Sequence, residues 1–391
     1  MQNEQLVAKL SDKRLRVRLK ALKGLYSSSI EDETAISRAE NSNINYAFRT
    51  VYSCFDRSAC LSVYYADKFG MPLTAVVDYA SLSSADELIK AEKIVNGIYY
   101  CGAEVTVLQN GNKVKFAALG VPHKFLKAFN DELAPYRNKR QAYTNALREK
   151  LNAKFKKYGV SLPSDFWSLF GAIKTTSVED LYVNLADKIV KKFGEGQNTV
   201  DFLTNELSFN LTEDENRKLS ALSNHLYTID LAFALYNNLK IKLPEESLFS
   251  AEHFISLCKK YGSICAVMYK TGSIDEFISS IKTLGVNCAV IDIDKYEQDK
   301  VAYFYNACQN CGILPLAVTI ISHPRKIPET YFETDELAKK YNENALCIVG
   351  HEIAATINPD DGMFTETTIK QFPTLEERIK LFSHIGSKGA V

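Results

Sequence analysis

The chain has 391 residues, of which 46% are hydrophobic and 24% are charged, a balance typical of globular proteins. Its 47 basic and 47 acidic side chains cancel, which argues against an extended nucleic-acid-binding surface. The N-terminal sequence lacks the apolar core of a signal peptide, and no apolar run approaches the roughly 18 residues of a membrane helix. The 9 cysteines, an odd number, add to a prediction of a cytoplasmic protein with reduced thiols and no membrane segment.

The first 40 residues are polar and form a predicted N-terminal helical segment, followed by the main body of the chain at 41–391. Leu15, Leu19 and Leu22 recur at the spacing of one helix face. This spacing predicts one amphipathic helix within the segment.

Residues 44–121 alternate between strand-like and helix-like patterns. Leu73–Val77 is a short apolar run and a predicted strand. Ser84 and Glu87 then have the spacing of a capping box, in which the two side chains satisfy exposed backbone donors at the start of a helix.

A predicted hairpin follows. Ile98–Val107 and Val114–Val121 are apolar runs on either side of Asn110-Gly111. The Asn-Gly dipeptide favours a tight turn, so we expect the two runs to pair as strands.

The pattern is mainly helical from about 125 to 250, where Thr176 and Glu179 have the spacing of a second capping box. From Ala251 onward, strand and helix patterns alternate again, and Ser273 and Glu276 form a third box. The predicted strands are Ile264–Tyr269, Asn287–Ile293 and Leu314–Ser322.

Strands that alternate with helices predict a parallel sheet or barrel. Because such units lie on both sides of the helical region, we expect an α/β fold with one barrel, interrupted by a helical insertion at about 125–250.

Several short motifs carry a family resemblance. Asn45-Tyr46-Ala47-Phe48-Arg49 precedes Tyr52-Ser53, and the segment Val77–Leu88 reads V-D-Y-A-S-L-S-S-A-D-E-L. Later landmarks are Gly102-Ala103-Glu104-Val105, Pro135-Tyr136-Arg137, Pro324-Arg325 and Ile348-Val349-Gly350-His351-Glu352. In order and spacing these resemble the motifs of the PHP (polymerase and histidinol phosphatase) family, in particular its bacterial branch.

The resemblance implies a distorted (β/α)₇ TIM-type barrel whose histidine and carboxylate side chains hold zinc, manganese or iron for phosphoester hydrolysis. Tyr46 and Phe48 stand at the two histidine positions of the family's first motif, and Tyr79 stands at the histidine position of the second. Ala80 replaces the aspartate that follows, whereas Glu104 retains its ligand chemistry. The late ligand pair aligns with Ile320-Ile321-Ser322, so the resemblance implies a degenerate metal site and no bound cofactor.

A rebuilt site for zinc, manganese or iron is the alternative, and it would need several converging ligands. His323, just past the late ligand position, is the best single candidate. His351 matches a family landmark, with a structural role and a pocket role both open. The predicted pocket residues are Tyr46, Phe48, Arg49, Asp78, Tyr79, Glu104, Ser322, His323, Arg325 and His351.

The aromatic replacements have two interpretations. Their rings can stack on a base or sugar of a ligand, or they can fill the volume that the metals vacated. Arg49 beside them offers a guanidinium for a phosphate or a carboxylate.

Three classes of function remain open at this stage. The favoured one is a non-catalytic, PHP-like protein that binds either a small ligand, phosphorylated ligands included, or a protein partner. The second is a metal-dependent phosphoesterase with a rebuilt site. The third is a structural or assembly protein in which the helical stretch Phe125–Tyr158 supplies an interface.

Overall fold

The structure is a computed structural model, and it describes most of the chain. The described residues are 2–27, 46–50, 57–68, 70–71, 73–95, 97–163, 176–242, 244, 246–321 and 334–388.

The described residues form a closed barrel of seven strands. Neighbouring strands run parallel, except that β4 is antiparallel to both β3 and β5. The barrel closes where β7 pairs with β1. This confirms the predicted α/β barrel. The strands are β1 (Tyr46–Phe48), β2 (Thr74–Tyr79), β3 (Tyr99–Gln109), β4 (Asn112–Leu119), β5 (Ile264–Met268), β6 (Cys288–Asp292) and β7 (Leu314–Ile321).

The predicted hairpin joins β3 to β4. Asn110 and Gly111 both have positive φ, 49° and 77°, the backbone conformation that an Asn-Gly hairpin turn requires. Leu119 at the end of β4 pairs directly with Ile264 at the start of β5. The long region between these two residues therefore leaves and rejoins the barrel at the end where the parallel strands begin.

Helices surround the barrel on its outer face. Leu10 and Leu22 of the N-terminal helical segment are fully buried in this outer core, so the segment packs against the rest of the chain. The helices of this layer are α1 (Gln2–Lys9), α2 (Leu15–Ser27), α3 (Ala59–Lys68), α4 (Ala85–Val95), α5 (Leu126–Glu132), α11 (Ala251–Lys260), α12 (Ile274–Thr283), α13 (Gln298–Asn310) and the first part of α14 (Asp335–Ile357). The rest of α14 and α16 (Leu375–Gly386) share a core with the inward-facing strand residues, and α15 (Glu366–Gln371) lies between α14 and α16 in the chain.

The region between β4 and β5 is mainly helical, as predicted, and has a hydrophobic core of its own. Its helices are α6 (Ala134–Phe155), α7 (Val178–Phe193), α8 (Gln197–Asp201), α9 (Glu213–Ser220) and α10 (Tyr227–Asn238). The helix α6 belongs to both cores. Tyr136 near its start packs with Phe249 and Phe254 beside the barrel, while Phe155 at its end lies in the separate core.

Two predicted capping boxes differ from the structure. The Ser84 hydroxyl donates to Asp78 at 2.8 Å, and the Glu87 carboxylate accepts from the Cys60 amide at 2.9 Å and pairs with Arg18. A buried carboxylate gains more from a guanidinium than from a backbone donor, so the tertiary contact replaces the local one. The second box forms one residue later than predicted, between Ser177 and Asp180.

The predicted cap at Ser273 is present, since its side chain accepts from the Glu276 amide. Within the described part of the chain, no helix combines the length and the apolar character needed to cross a bilayer.

Candidate site at the carboxyl end of the barrel

An ion pair lies inside the barrel near the carboxyl ends of its parallel strands. Arg49 directly follows β1, and its Nη2 atom lies 2.6 Å from Oε1 of Glu104 on β3. The Arg49 and Glu104 side chains are 15% and 10% exposed. Lys115 on β4 approaches the same carboxylate oxygen at 3.4 Å. Glu104, one of the predicted pocket residues, is thus paired with two cations.

These cations control the ionisation of Glu104. Burial acts to raise the pKa of its carboxyl group, but Arg49, Lys115 and Arg140 outweigh burial and lower the pKa to about 2. Glu104 is therefore ionised at neutral pH, and its charge is balanced by neighbouring side chains.

Tyr79, at the end of β2, is covered by the helical insertion. The guanidinium of Arg140 on α6 lies 3.8 Å from the centre of the Tyr79 ring, a cation–π contact. The tyrosine is 6% exposed, and burial raises the pKa of its hydroxyl group. Arg140 also lies 3.9 Å from the Glu179 carboxylate at the start of α7.

A small cavity of about 50 Å³ lies beneath the ion pair. Arg49, Glu104 and Tyr100 supply its polar lining, and the other lining residues are Ala47, Val77, Ala117, Leu119, Met268, Val290, Leu316, Val318 and Ile320. Pockets for drug-sized ligands usually measure about 300–1,000 Å³. This cavity has room for only a small group or a few waters.

The alternation of β1 decides which of its residues face the cavity. Ala47 and Arg49 line the cavity, whereas Phe48 belongs to the core between the barrel and its helices and is 2% exposed. Successive side chains of a strand point to opposite faces, so Phe48 cannot share a face with Arg49. Phe48, which aligns with a family histidine, was expected in the pocket and lies on the outer side instead.

Asp78 also faces away from the cavity. Its carboxylate accepts from the amide and hydroxyl of Thr50, both at 2.7 Å, and from the Ser84 hydroxyl at 2.8 Å. Full burial raises the pKa of this carboxyl group to about 6, against the lowering effect of those donors. Asp78 therefore ties the end of β1 to the loop before α4, which is a structural role.

His351 lies at the other end of the barrel. Its Nε2 atom is 2.8 Å from the Gly262 carbonyl, just before β5, and its Nδ1 accepts from the Met363 amide at 3.0 Å. Burial lowers the pKa of the imidazole to about 4, so the ring is neutral. Of the open roles for His351, these contacts support the structural one.

Four of the predicted pocket residues cannot be placed in this way. Ser322, His323 and Arg325 lie outside the described residues, as does the side chain of Tyr46. Their participation in the site stays a prediction.

The donor set that the described residues supply does not fit a metal ion. Among the described residues, no three histidine, cysteine, aspartate or glutamate side chains converge as ligands. Glu104 already faces the charges of Arg49 and Lys115, which would repel a divalent cation.

Asp292 is a buried carboxylate on the cavity side of β6 that was not among the predicted pocket residues. It ends β6 on the same face as Val290, which lines the cavity, and it is 2% exposed. Its Oδ2 atom lies 2.8 Å from Lys295, and across the described ranges no hydrogen-bond partner lies near Oδ1. An acidic residue at the end of an apolar strand pattern, V-I-D, was the available signal.

The sequence matches no family model and no curated protein. Among solved structures, a candidate metal-dependent phosphoesterase from Bifidobacterium adolescentis is similar at 13% identity, with a TM-score of 0.48 over 78% of this chain and 98% of the other. An amidohydrolase from Chromobacterium violaceum, crystallised with sulfate and no metal, is similar at 15% identity, with a TM-score of 0.47 over 76% and 96%. Likeness at this level carries no conclusion about the chemistry of this chain.

Proposed function

We propose that this chain is a non-catalytic, PHP-like barrel protein with a degenerate metal site, and that it binds a small anionic ligand such as a phosphate ester. The observation that carries the proposal is the charge around Glu104. Arg49 and Lys115 contact its carboxylate, and Arg140 also lowers its pKa.

The described cations of this cluster exceed its described acids. Arg49, Lys115 and Arg140 carry three positive charges, against two negative charges on Glu104 and Glu179. Lys115 is 45% exposed, so its ammonium group is accessible to a ligand while it approaches Glu104. Such a cluster favours an anion at the carboxyl end of the barrel, where ligands of (β/α) barrels usually bind.

The same geometry argues against acid–base catalysis by Glu104. A general acid works best with a pKa near the operating pH, whereas the pKa of Glu104 is about 2. Its carboxylate is also held by Arg49 at 2.6 Å, so it has no proton to donate at neutral pH.

Calorimetric titration with ethyl phosphate tests the binding function. We expect binding to the full chain and a loss of about tenfold in affinity for the Lys115→Met variant, since a charge-assisted hydrogen bond is removed. Lys127→Met, which changes an exposed lysine of α5, is the matched control and should bind like the wild type. Absence of binding to the wild type, or equal binding by Lys115→Met, would overturn the proposal.

Catalysis is tested separately. Elemental analysis of the purified chain should find well under one equivalent of zinc, manganese or iron, as expected for a lost ligand set. Adding each metal to the protein with a chromogenic phosphate ester should produce no hydrolysis above the metal alone. Metal-dependent turnover would establish the phosphoesterase alternative instead.

A further inference from the structure

We infer that the ligand of this barrel is a small zwitterion, with its anionic group at Lys115 and Arg49 and an ammonium group at Asp292. The inference rests on the proposed anion-binding function and names the class of ligand. It starts from an unusual feature of Asp292, a carboxylate buried on the inner face of the barrel with an oxygen that lacks a partner among the described residues.

The position of Asp292 relative to the cavity follows from the strand register. Asp292 pairs with Val318 of β7, and Val290 pairs with Leu316. Val290, Leu316 and Val318 all line the cavity beneath the Arg49–Glu104 pair. Because residues two apart on a strand share a face, the Asp292 side chain leaves β6 on the cavity side.

The two oxygens of Asp292 differ in their environment. Lys295, which is 62% exposed, meets Oδ2 at 2.8 Å. The Oδ1 atom is buried and has no donor among the described residues. Leaving a buried acceptor without a partner is costly, and more so for a charged group. A donor supplied by a ligand would remove that cost.

The cationic and anionic parts of the site come from different strands. Lys115 and the Arg49–Glu104 pair involve β1, β3 and β4, and Asp292 ends β6. An ammonium group matches Asp292 in charge and is close to water in size, so the cavity of about 50 Å³ that Val290 and Val318 line has room for one. A phosphate or carboxylate matches the cations. A short molecule with both groups satisfies both ends of the site.

Phosphoethanolamine and ethyl phosphate form a matched pair of probes, since they share a phosphate ester and differ in the terminal ammonium group. Calorimetry on the full chain should show phosphoethanolamine binding about tenfold more tightly, the gain expected for one charge-assisted hydrogen bond. Asp292→Asn should abolish this preference, because it removes the carboxylate that the ammonium group of phosphoethanolamine contacts. Asp275→Asn, which changes an exposed aspartate of α12, should keep the preference.

The outcomes distinguish the zwitterion assignment from the proposed anion-binding function on which it rests. If both probes bind equally to the wild type, or if Asp292→Asn keeps the preference, the zwitterion assignment is wrong and anion binding stands. If neither probe binds, both are wrong. Lys295→Ala is a second variant that retains Asp292, and it should keep the preference for phosphoethanolamine; loss of the preference in this variant would contradict the assignment of the ammonium group to Asp292.

Discussion

Arg49 and Glu104 form an ion pair across β2, with the guanidinium at the end of β1 and the carboxylate on β3. The Nη2–Oε1 distance is 2.6 Å, and both side chains are largely buried. Arg49 was expected to offer its guanidinium to a ligand, and a carboxylate such as Glu104 is costly to bury without a partner. The Glu104 carboxylate takes the place of the expected ligand at Arg49, and the Arg49 guanidinium is the partner that lets Glu104 be buried.

Replacing Arg49 by methionine should destabilise the protein by at most roughly 3–5 kcal/mol, the usual cost of breaking a buried pair, because Lys115 still contacts Glu104. Urea unfolding measures the change in free energy. The double variant Arg49→Met, Glu104→Gln should recover much of the loss, because no buried charge is then left. Similar stability for the single and double variants would contradict this account of the pair.

The stability of the fold should depend on the ionisation of Glu104. Its pKa falls from 4.5 to about 2 on folding, so its contribution is fully present above 4.5 and is lost as the pH falls toward 2. Urea unfolding of the wild type and of Glu104→Gln should therefore give a stability difference that shrinks across this range. A difference that stays constant with pH would show that ionisation of Glu104 does not contribute.

Glu92 should have the opposite pH dependence. Burial, reinforced by Glu352, raises the pKa of its carboxyl group from 4.5 to about 7. The folded state then binds the proton more tightly than the unfolded state, so this group lowers stability as the pH rises from 4.5 to 7. Glu92→Gln should be more stable than the wild type above that range, by up to roughly 3 kcal/mol, and should lose this advantage below it.

Asp86→Asn is the matched control for Glu92, since Asp86 lies on the same helix and its side chain is 68% exposed. Because its site is exposed, this variant should not show the gain in stability expected of Glu92→Gln. A pH-dependent gain in this variant, or none in Glu92→Gln, would contradict the assignment.

Tyr79→Ala should destabilise the protein by roughly 2–4 kcal/mol, because the ring is buried and packed under Arg140. Tyr303→Ala is the comparison, since Tyr303 is 50% exposed and should cost much less. Thermal and urea unfolding of both variants measure the difference. An equally small effect in the two variants would mean that Tyr79 borders open space.

The sequence predicted the barrel and the hairpin because both depend on strong local signals. Strands with regular helices between them, and Asn110-Gly111 between two apolar runs, leave few alternatives. The site was harder to predict. Phe48 and Arg49 were both expected in the pocket, but neighbouring residues of a strand face opposite sides, so only Arg49 lies there.

Contacts distant in sequence explain the other differences. Ser84 and Glu87 have the spacing of a capping box, but Asp78 and Arg18 compete for them in the folded protein. Asp292 does not belong to a recognisable sequence motif. Its burial with an unpartnered oxygen among the described residues follows from the packing of the barrel interior, which the sequence does not show. Tertiary partners of this kind cannot be deduced from spacing along the chain.

The pairing of Leu119 with Ile264 has a consequence for biosynthesis. Four strands of the barrel leave the ribosome before the helical insertion, and β5 follows only after it. At ordinary rates of translation this interval is on the order of ten seconds. Until then β4 has an unpaired edge, the kind of surface that promotes misassociation between nascent chains. The insertion has a core of its own, so it can fold in the interval between the synthesis of β4 and that of β5.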